Sequence, residues 1–318
     1  MFAFGKLSEI YEKMVEKIDA QFHFERRVSK VWRGKNALLL QGKEPNQYKF
    51  QVCVEDGKGK REFFDEIVFA CDAENALKSL QDSSWMEKWT LGNVKYFDDV
   101  TLTHTDLEYI EKNYDINLER EDQYFIKNYF PKHPHLLEMS FDLSNYQPQL
   151  KHSLPKDNKH KHKHIFQTIF LDKTKEEVWT IDSIDKNKVL LKKWWRQFSH
   201  SYTHFLLVVP FVRFIQNQNN TNYCGSYCLV NTHEIATISG FSSAFRILNK
   251  YDTEGLLKEK YPFSTDSLAS KQFYNFLLFV HGINANPYPP SSSNSLRPLL
   301  FLLFLFIALI FLFFSLLF

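Results

Sequence analysis

Residues Tyr223-Cys-Gly-Ser-Tyr-Cys-Leu-Val-Asn-Thr-His-Glu-Ile-Ala-Thr-Ile-Ser-Gly-Phe-Ser-Ser-Ala-Phe-Arg-Ile-Leu248 read as the end of a strand, a glycine turn and a capped helix. Asn231 followed by Glu234 is a capping-box-like start, with Asn where Ser or Thr is usual. Ile235, Ile238, Phe241, Phe245 and Leu248 give the helix its apolar content. Ala236, Gly240 and Ala244 recur every four residues, with Ser239 and Ser243 beside them, so one helical face is nearly bare of side chain. Such a stripe admits another backbone or a flat ligand. The helix start presents N–H groups without intrahelical acceptors and the positive end of the dipole, which suit a phosphate or an anionic ring. Gly225 lies where the strand ends, and its missing Cβ permits close backbone approach. Two readings stand side by side: a tightly packed, well-capped helix, or a ligand site.

Working outward, 318 residues can hold one large or two moderate domains. The formal net charge is +2, so no basic excess points to nucleic acid, and none is expected as a partner. Cys53, Cys71, Cys224 and Cys228 are spread along the chain without a CxxC pair, as expected for reduced thiols rather than a zinc site. Ten glycines are about 3% of the chain against a typical ~7%. The close pair Gly57 and Gly59 lacks the third glycine of a dinucleotide fingerprint.

Leu7, Ile10, Tyr11, Met14, Val15 and Ile18 share a helical face, which predicts a helix over about residues 7–19. Phe22 and Phe24 open a strand that Val28 and Val31 continue. Residues 37–41 and 48–54 predict two antiparallel strands. Ile67 to Cys71 predicts a short buried parallel strand, and Asp72 the N-cap of a helix to about Leu80. Strands are further expected near 100–104, 137–143, 165–171 and 178–181. His104 reads either as an active-site residue or, with more weight, as a hydrogen-bonded strand histidine. The run from Lys192 to Ser201 reads as a basic face snorkelling over packed tryptophan; the alternative sets Trp194, Trp195 or His200 beside a bound ligand. His160, His162 and His164 alternate and could chelate a metal if extended, but a solvated loop is the expectation. Helices are expected over 251–260 and 264–280. Residues 284–294 read as a Pro/Ser/Asn linker. Residues 299–318 are apolar except for Ser315, and a helix of that length, ~30 Å, spans a bilayer core. The expected location is the cytoplasmic face of a membrane if that tail anchors the chain, and otherwise the cytoplasm.

Gly225-Ser226, Asn231-Thr232-His233-Glu234 and Ser239-Gly240 resemble the C-terminal flavin-binding motif of the flavin-containing amine oxidase superfamily, in its NAD/FAD-binding, amine-oxidoreductase-like branch. The segments starting at Asp65, Thr103 and Lys193 extend the likeness in order over roughly residues 4–282. The resemblance implies non-covalent FAD, with pyrophosphate near Gly225 and Ser226 and the ribityl chain and pyrimidine edge near Thr232, His233 and Glu234. Val28 would contact the adenine through its backbone. The implied activity is hydride transfer from a small-molecule substrate to flavin; no side chain is assigned as catalyst, and any protein partner is unknown. The implied fold is α/β: a partial Rossmann-like FAD domain (1–84 and 216–282) lacking the N-terminal glycine fingerprint, an inserted mixed or antiparallel substrate-type domain (85–215), a linker (283–298) and a C-terminal hydrophobic helix (299–318). The alternatives are a non-catalytic, membrane-anchored remnant of such an enzyme, a fragment from an incomplete gene model, or a separate binding module.

Overall fold

The computed structural model describes residues 7–41, 51–116, 122–129, 131–133, 136–147, 150 and 164–251. The expected helices beyond residue 251, the linker, the tail at 299–318, His160 and His162 lie outside the described residues. The chain divides into two compact units: unit 1 is 1–24 with 96–197, and unit 2 is 25–95 with 198–318. Helix α1 (Leu7–Val15) opens unit 1, with Tyr11, Met14 and Val15 exposed.

Unit 2 begins with β1 (Val28–Arg33), which runs into α2 (Gly34–Gln41) through Gly34 at φ +51°. Residues 37–41 are thus helical, not a strand; a short apolar run such as Leu38-Leu39-Leu40 has no period that separates the two. Strands β2 (Val52–Asp56) and β3 (Arg61–Phe64) complete an antiparallel sheet in the order β1-β2-β3. Their turn is built by Asp56, whose Oδ1 accepts the Lys58 and Lys60 amides at 2.9 Å each, with Gly59 at φ +81°. So short a turn permits only antiparallel pairing. Strand β4 (Ile67–Phe69) is followed by α3 (Ala73–Ser79), where Asp72 holds the N-cap position without a side-chain bond. Helix α4 (Trp85–Gly92) starts from a full capping box made by Ser84 and Glu87.

Unit 1 continues with β5 (Tyr96–His104), α5 (Leu107–Asn113), β6 (Tyr124–Asn128), β7 (Leu137–Asp142), α6 (Leu143–Tyr146), β8 (Phe166–Phe170) and β9 (Val189–Phe198). Their sheet runs β6-β7-β8-β5-β9, with antiparallel β6–β7, β7–β8 and β5–β8 pairs. Val100, Leu102, Phe166 and Phe170 pack under Tyr109, Ile110 and Tyr114. Strand β7 buries its polar face instead: Glu138, Ser140 and Asp142 are inside. Residues 178–181 are not a strand. Two 3-10 turns, Lys173–Val178 and Ile181–Ser183, flank Trp179 and Thr180, the first capped by Asp172.

Unit 2 resumes with α7 (Tyr202–Leu207), α8 (Val212–Ile215), β10 (Thr221–Tyr223) and α9 (His233–Tyr251). Strand β10 pairs in parallel with β4: Thr221 with Ile67, Asn222 with Val68 and Tyr223 with Phe69. One buried cluster fastens these pieces. Arg33 donates to both oxygens of Glu87, at 2.5 and 2.9 Å, to Asp82 at 2.9 Å, and to Thr221 and Tyr223 at 3.3 Å. The Tyr223 hydroxyl also donates to Glu87 at 2.6 Å. Burial alone would raise the Glu87 carboxyl, but Arg33, Tyr223 and the Ser84 amide hold it down to about 2.

These observations correct the expected fold class. The chain has a mixed α/β fold, and among the described residues it forms three sheets, with parallel pairing confined to β4–β10 and a bridge between Val31 and Leu80. That falls short of a Rossmann-like sheet. The transmembrane reading is also set aside, since no helix among the described residues is long and apolar enough to cross a membrane.

Candidate functional site

The carboxyl ends of two adjacent parallel strands, each leading towards a helix, are where open α/β sheets place ligands. In unit 2 these are the ends of β4 and β10. The pairing continues one step past the strands, with the Cys224 amide donating to the Phe69 carbonyl at 2.9 Å. Gly225 follows at φ +155°. A Cβ there would lie 2.8 and 2.9 Å from the Tyr227 ring, so both backbone and space require glycine. Ser226–Cys228 form a single 3-10 turn, closed by the Cys228 amide on the Gly225 carbonyl at 3.1 Å.

One hydroxyl joins this turn to the helix. Ser239 Oγ accepts the Gly225 N–H at 2.8 Å and donates back to the Ala236 carbonyl at 2.7 Å. The buried face of α9 is therefore Ile235, Ser239, Ser242, Ser243 and Arg246. The stripe of Ala236, Gly240 and Ala244 is rotated away from it: Ala236 and Gly240 are half-buried and Ala244 is exposed. A Cβ on Gly240 would meet nothing within 4 Å, so close packing is not why that residue is small. Arg246 reaches under the site and donates to Asn222 Oδ1 at 3.0 Å.

The cap also differs from the expectation. Thr232, not Asn231, caps α9, its Oγ1 accepting the Ile235 amide at 3.2 Å. Asn231 is held upstream, its N–H donating to His200 Nε2 at 2.7 Å and its Oδ1 accepting from Ser226 Oγ at 3.3 Å. A second histidine braces the same segment: buried His204 lies with Nε2 3.1 Å from the Leu229 carbonyl. Donation from Nε2 leaves Nδ1 as an acceptor, and among the described residues it has no partner. Burial keeps His204 neutral, its pKa lowered to about 4. His204 was not singled out in the sequence, where nothing marks which of twelve histidines is enclosed.

Of the residues named from sequence, Gly225, Ser226, Thr232, His233 and Glu234 come together along one turn and one helix start. Thr232, His233 and Glu234 are exposed there, while Ser226 is half-buried. Val28 begins β1 opposite Asp56 and is 44% exposed. No described hydrogen bond joins it to residues 225–234. The donor set suits the ribityl and pyrimidine edge of a flavin: the amide of Glu234, which helix geometry leaves without an intrahelical acceptor, and the exposed Thr232 and Glu234 side chains. It suits a pyrophosphate at Gly225 less well, because Ser239 already takes that amide.

The other residues raised from sequence find ordinary structural roles. His104 is fully buried in β5, its Nε2 2.9 Å from Thr168 Oγ1 and its Nδ1 accepting the Asp106 amide at 3.2 Å. Burial lowers its pKa to about 4. His164 pairs with Asp142 at 2.6 Å, and no group of three metal-ligating side chains occurs among the described residues. The Lys192–Arg196 run lies on edge strand β9, where Trp194 packs on Trp179 with the Lys173 and Lys192 ammoniums 5.0 and 5.8 Å from its ring. The lysines do lie over an aromatic ring, but Trp194 and Trp195 are each 41% exposed, so the expected packed tryptophan beneath a basic face is not what the strand presents.

No protein-family model and no curated protein matches the chain. Among solved structures it is similar to a CLA-producing fatty acid isomerase from P. acnes, at 13% identity and a TM-score of 0.46, over 78% of this chain and 52% of that one. It is similar to reduced UDP-galactopyranose mutase at 9% identity and a TM-score of 0.42, over 79% and 53%. A protein assigned as a FAD-containing monooxygenase from Photorhabdus luminescens gives 8% identity and a TM-score of 0.37, over 87% and 70%. The chain spans about half the length of the first two. The likeness is broad, singles out no one family, and at these scores lends no weight to any site residue. Two further expectations do not stand. No described helix can serve as a membrane anchor, and nothing in the described structure or the comparisons speaks for a small-molecule substrate.

Proposed function

We propose that unit 2 binds FAD at the start of α9 and that the chain is a FAD-dependent oxidoreductase. The observation that carries this reading is the turn from β10 through Gly225 into a Thr232-capped, 19-residue helix beside a parallel strand. The resemblance of Gly225-Ser226 and Thr232-His233-Glu234 to a flavin-binding motif adds to it. Bound FAD would supply the hydride acceptor. The chain's own part is positional. Thr232 and Glu234 hold the flavin's polar edge, and the helix dipole favours negative charge that develops beside it. His200 and His204 fix the turn from behind, and Gly225 shapes the approach.

The test is flavin content. Full-length chain, purified and then denatured, should release FAD in near-equal amount, or bind added FAD with quenching of flavin fluorescence. Thr232→Ala with Glu234→Gln should weaken that binding at least tenfold. A colourless, cooperatively folded chain that ignores added FAD sinks the proposal. A second reading, a non-catalytic domain of the same fold, rests on the closure of the Gly225 amide by Ser239.

A further inference from the structure

Strand β9 closes one side of the five-stranded sheet of unit 1. The Thr105 amide donates to the Lys188 carbonyl at 3.0 Å and the Ser199 amide to the Lys95 carbonyl at 2.8 Å, so β5 lies along β9 from end to end. Among the described residues no strand pairs with its other side. A row of main-chain N–H and C=O groups on such an edge is a template for one more strand. The side chains are open as well: every residue from 190 to 196 is exposed, Leu190, Leu191, Trp194 and Trp195 among them. Two clefts lie along this strand. One, of about 450 Å³, has Leu102, Trp179, Ile184, Val189 and Trp194 in its walls. The other, of about 370 Å³, is lined by Asp98, Lys173, Trp194, Trp195 and Arg196. Trp194 belongs to both and leans on Trp179, 6.2 Å between ring centroids. When a peptide adds to a sheet edge, main-chain bonds supply affinity, and pockets that take its alternate side chains supply selectivity.

Charge selects the occupant. β9 carries Lys192, Lys193 and Arg196 and no carboxylate. Lys173 and Lys186 join them from the cleft walls, where Asp98, Glu176 and Asp182 oppose them, so cations outnumber carboxylates five to three. Among the described residues Lys173, Lys186, Lys192 and Lys193 form no ion pair; Lys173 and Lys192 instead lie 5.0 and 5.8 Å from the Trp194 ring. Two copies meeting β9 to β9 would crowd these cations with no carboxylate on either strand, which is how lysine guards a sheet edge against its own kind. An acidic strand meets the opposite situation. We propose that β9 docks an acidic, extended segment of another protein, which adds to the sheet edge with carboxylates against Lys192 and Lys193 and apolar side chains in the two clefts. This docking uses unit 1 alone and is independent of any flavin.

The experiment uses full-length chain and a fluorescein-labelled peptide matching the 10 residues of β9 in length, with glutamate and aspartate alternating with valine and leucine. Fluorescence anisotropy should show saturable binding, about tenfold tighter than for the same peptide with lysine in place of its acids. A peptide N-methylated at every amide has no donors for the edge and should not bind. Lys192→Glu with Lys193→Glu changes two exposed side chains, and the urea midpoint checks that the variant folds. It should reverse the preference, so that the lysine peptide binds the better. Equal binding of acidic and basic peptides, binding by the N-methylated peptide, or no binding by any of them would overturn the assignment. Dimerisation of the chain alone that Trp194→Asp removes would give the edge to a second copy instead.

Discussion

Gly225→Ala separates a glycine that the site requires from one that merely occurs in it. At φ +155° and ψ 167° the backbone lies in a region nearly reserved for glycine, and an alanine held there costs about 1–3 kcal/mol. The new methyl would also stand 2.8 Å from the Tyr227 ring, where ordinary contact begins near 3.4 Å. That ring is 3% exposed and cannot swing into solvent. Overpacking of this kind adds about 1–3 kcal/mol, so the total is about 2–6 kcal/mol, a large share of a typical domain's 5–15. Urea unfolding followed by tryptophan fluorescence reads the loss as a lower midpoint at unchanged slope. Gly240→Ala is the internal control: its Cβ meets nothing, so helix propensity alone should stabilise by about 0.5–1 kcal/mol. Measured in a Tyr227→Ala background, Gly225→Ala should lose the packing part of its cost and keep the backbone part. Equal destabilisation by the two glycine changes, or none by Gly225→Ala, would refute the account of this turn.

Glu87→Gln leaves Arg33 charged and enclosed among Thr221, Tyr223 and Asp82, and should cost about 3–5 kcal/mol in urea unfolding at neutral pH. Glu138 in β7 accepts hydroxyls from Tyr109, Tyr114, Tyr129 and Thr180, so Glu138→Gln should destabilise unit 1 by about 2–4 kcal/mol, read by the same titration. Acid should weaken both units through buried His104 and His204, each lowered by burial from 6.5 to about 4. The unfolded chain takes up these protons first, so this stability is fully present above pH 6.5 and lost as pH falls to about 4. Each histidine accounts for about 3 kcal/mol of that loss. His104→Leu should flatten the urea midpoint between pH 7 and 5, and an unchanged slope with pH would contradict the assignment.

Where local chemistry is sufficient, the sequence is readable. Ile67–Phe69 is a short apolar strand, as its length and flanks suggest, and His104 is the hydrogen-bonded strand histidine it was read to be. What fails is phase and direction. The small-residue stripe of α9 has the right period but the wrong rotation, because Ser239 and Arg246, through their bonds to Gly225 and Asn222, fix which side faces inward. Alternation in β7 would turn Leu137, Met139 and Phe141 inward, yet Glu138 is the residue inside, since three tyrosines and a threonine from elsewhere in unit 1 supply its donors. Thr232 takes the cap from Asn231 because His200, distant in sequence, has claimed the Asn231 amide. Each of these is decided by a partner that no local window contains.

The Arg33 cluster also bears on the order in which the molecule is made. Glu87 follows Arg33 by 54 residues, but Thr221 and Tyr223 come only after another 130 residues or so, roughly 6–25 s later at about 5–20 residues per second. Through that interval the three-residue β4 waits for β10, its parallel neighbour among the described residues. The larger segment of unit 1, residues 96–197, is synthesised in the meantime. The first half of unit 2 must therefore wait with its own sheet edge open, and that is when the nascent chain is most exposed to wrong pairing.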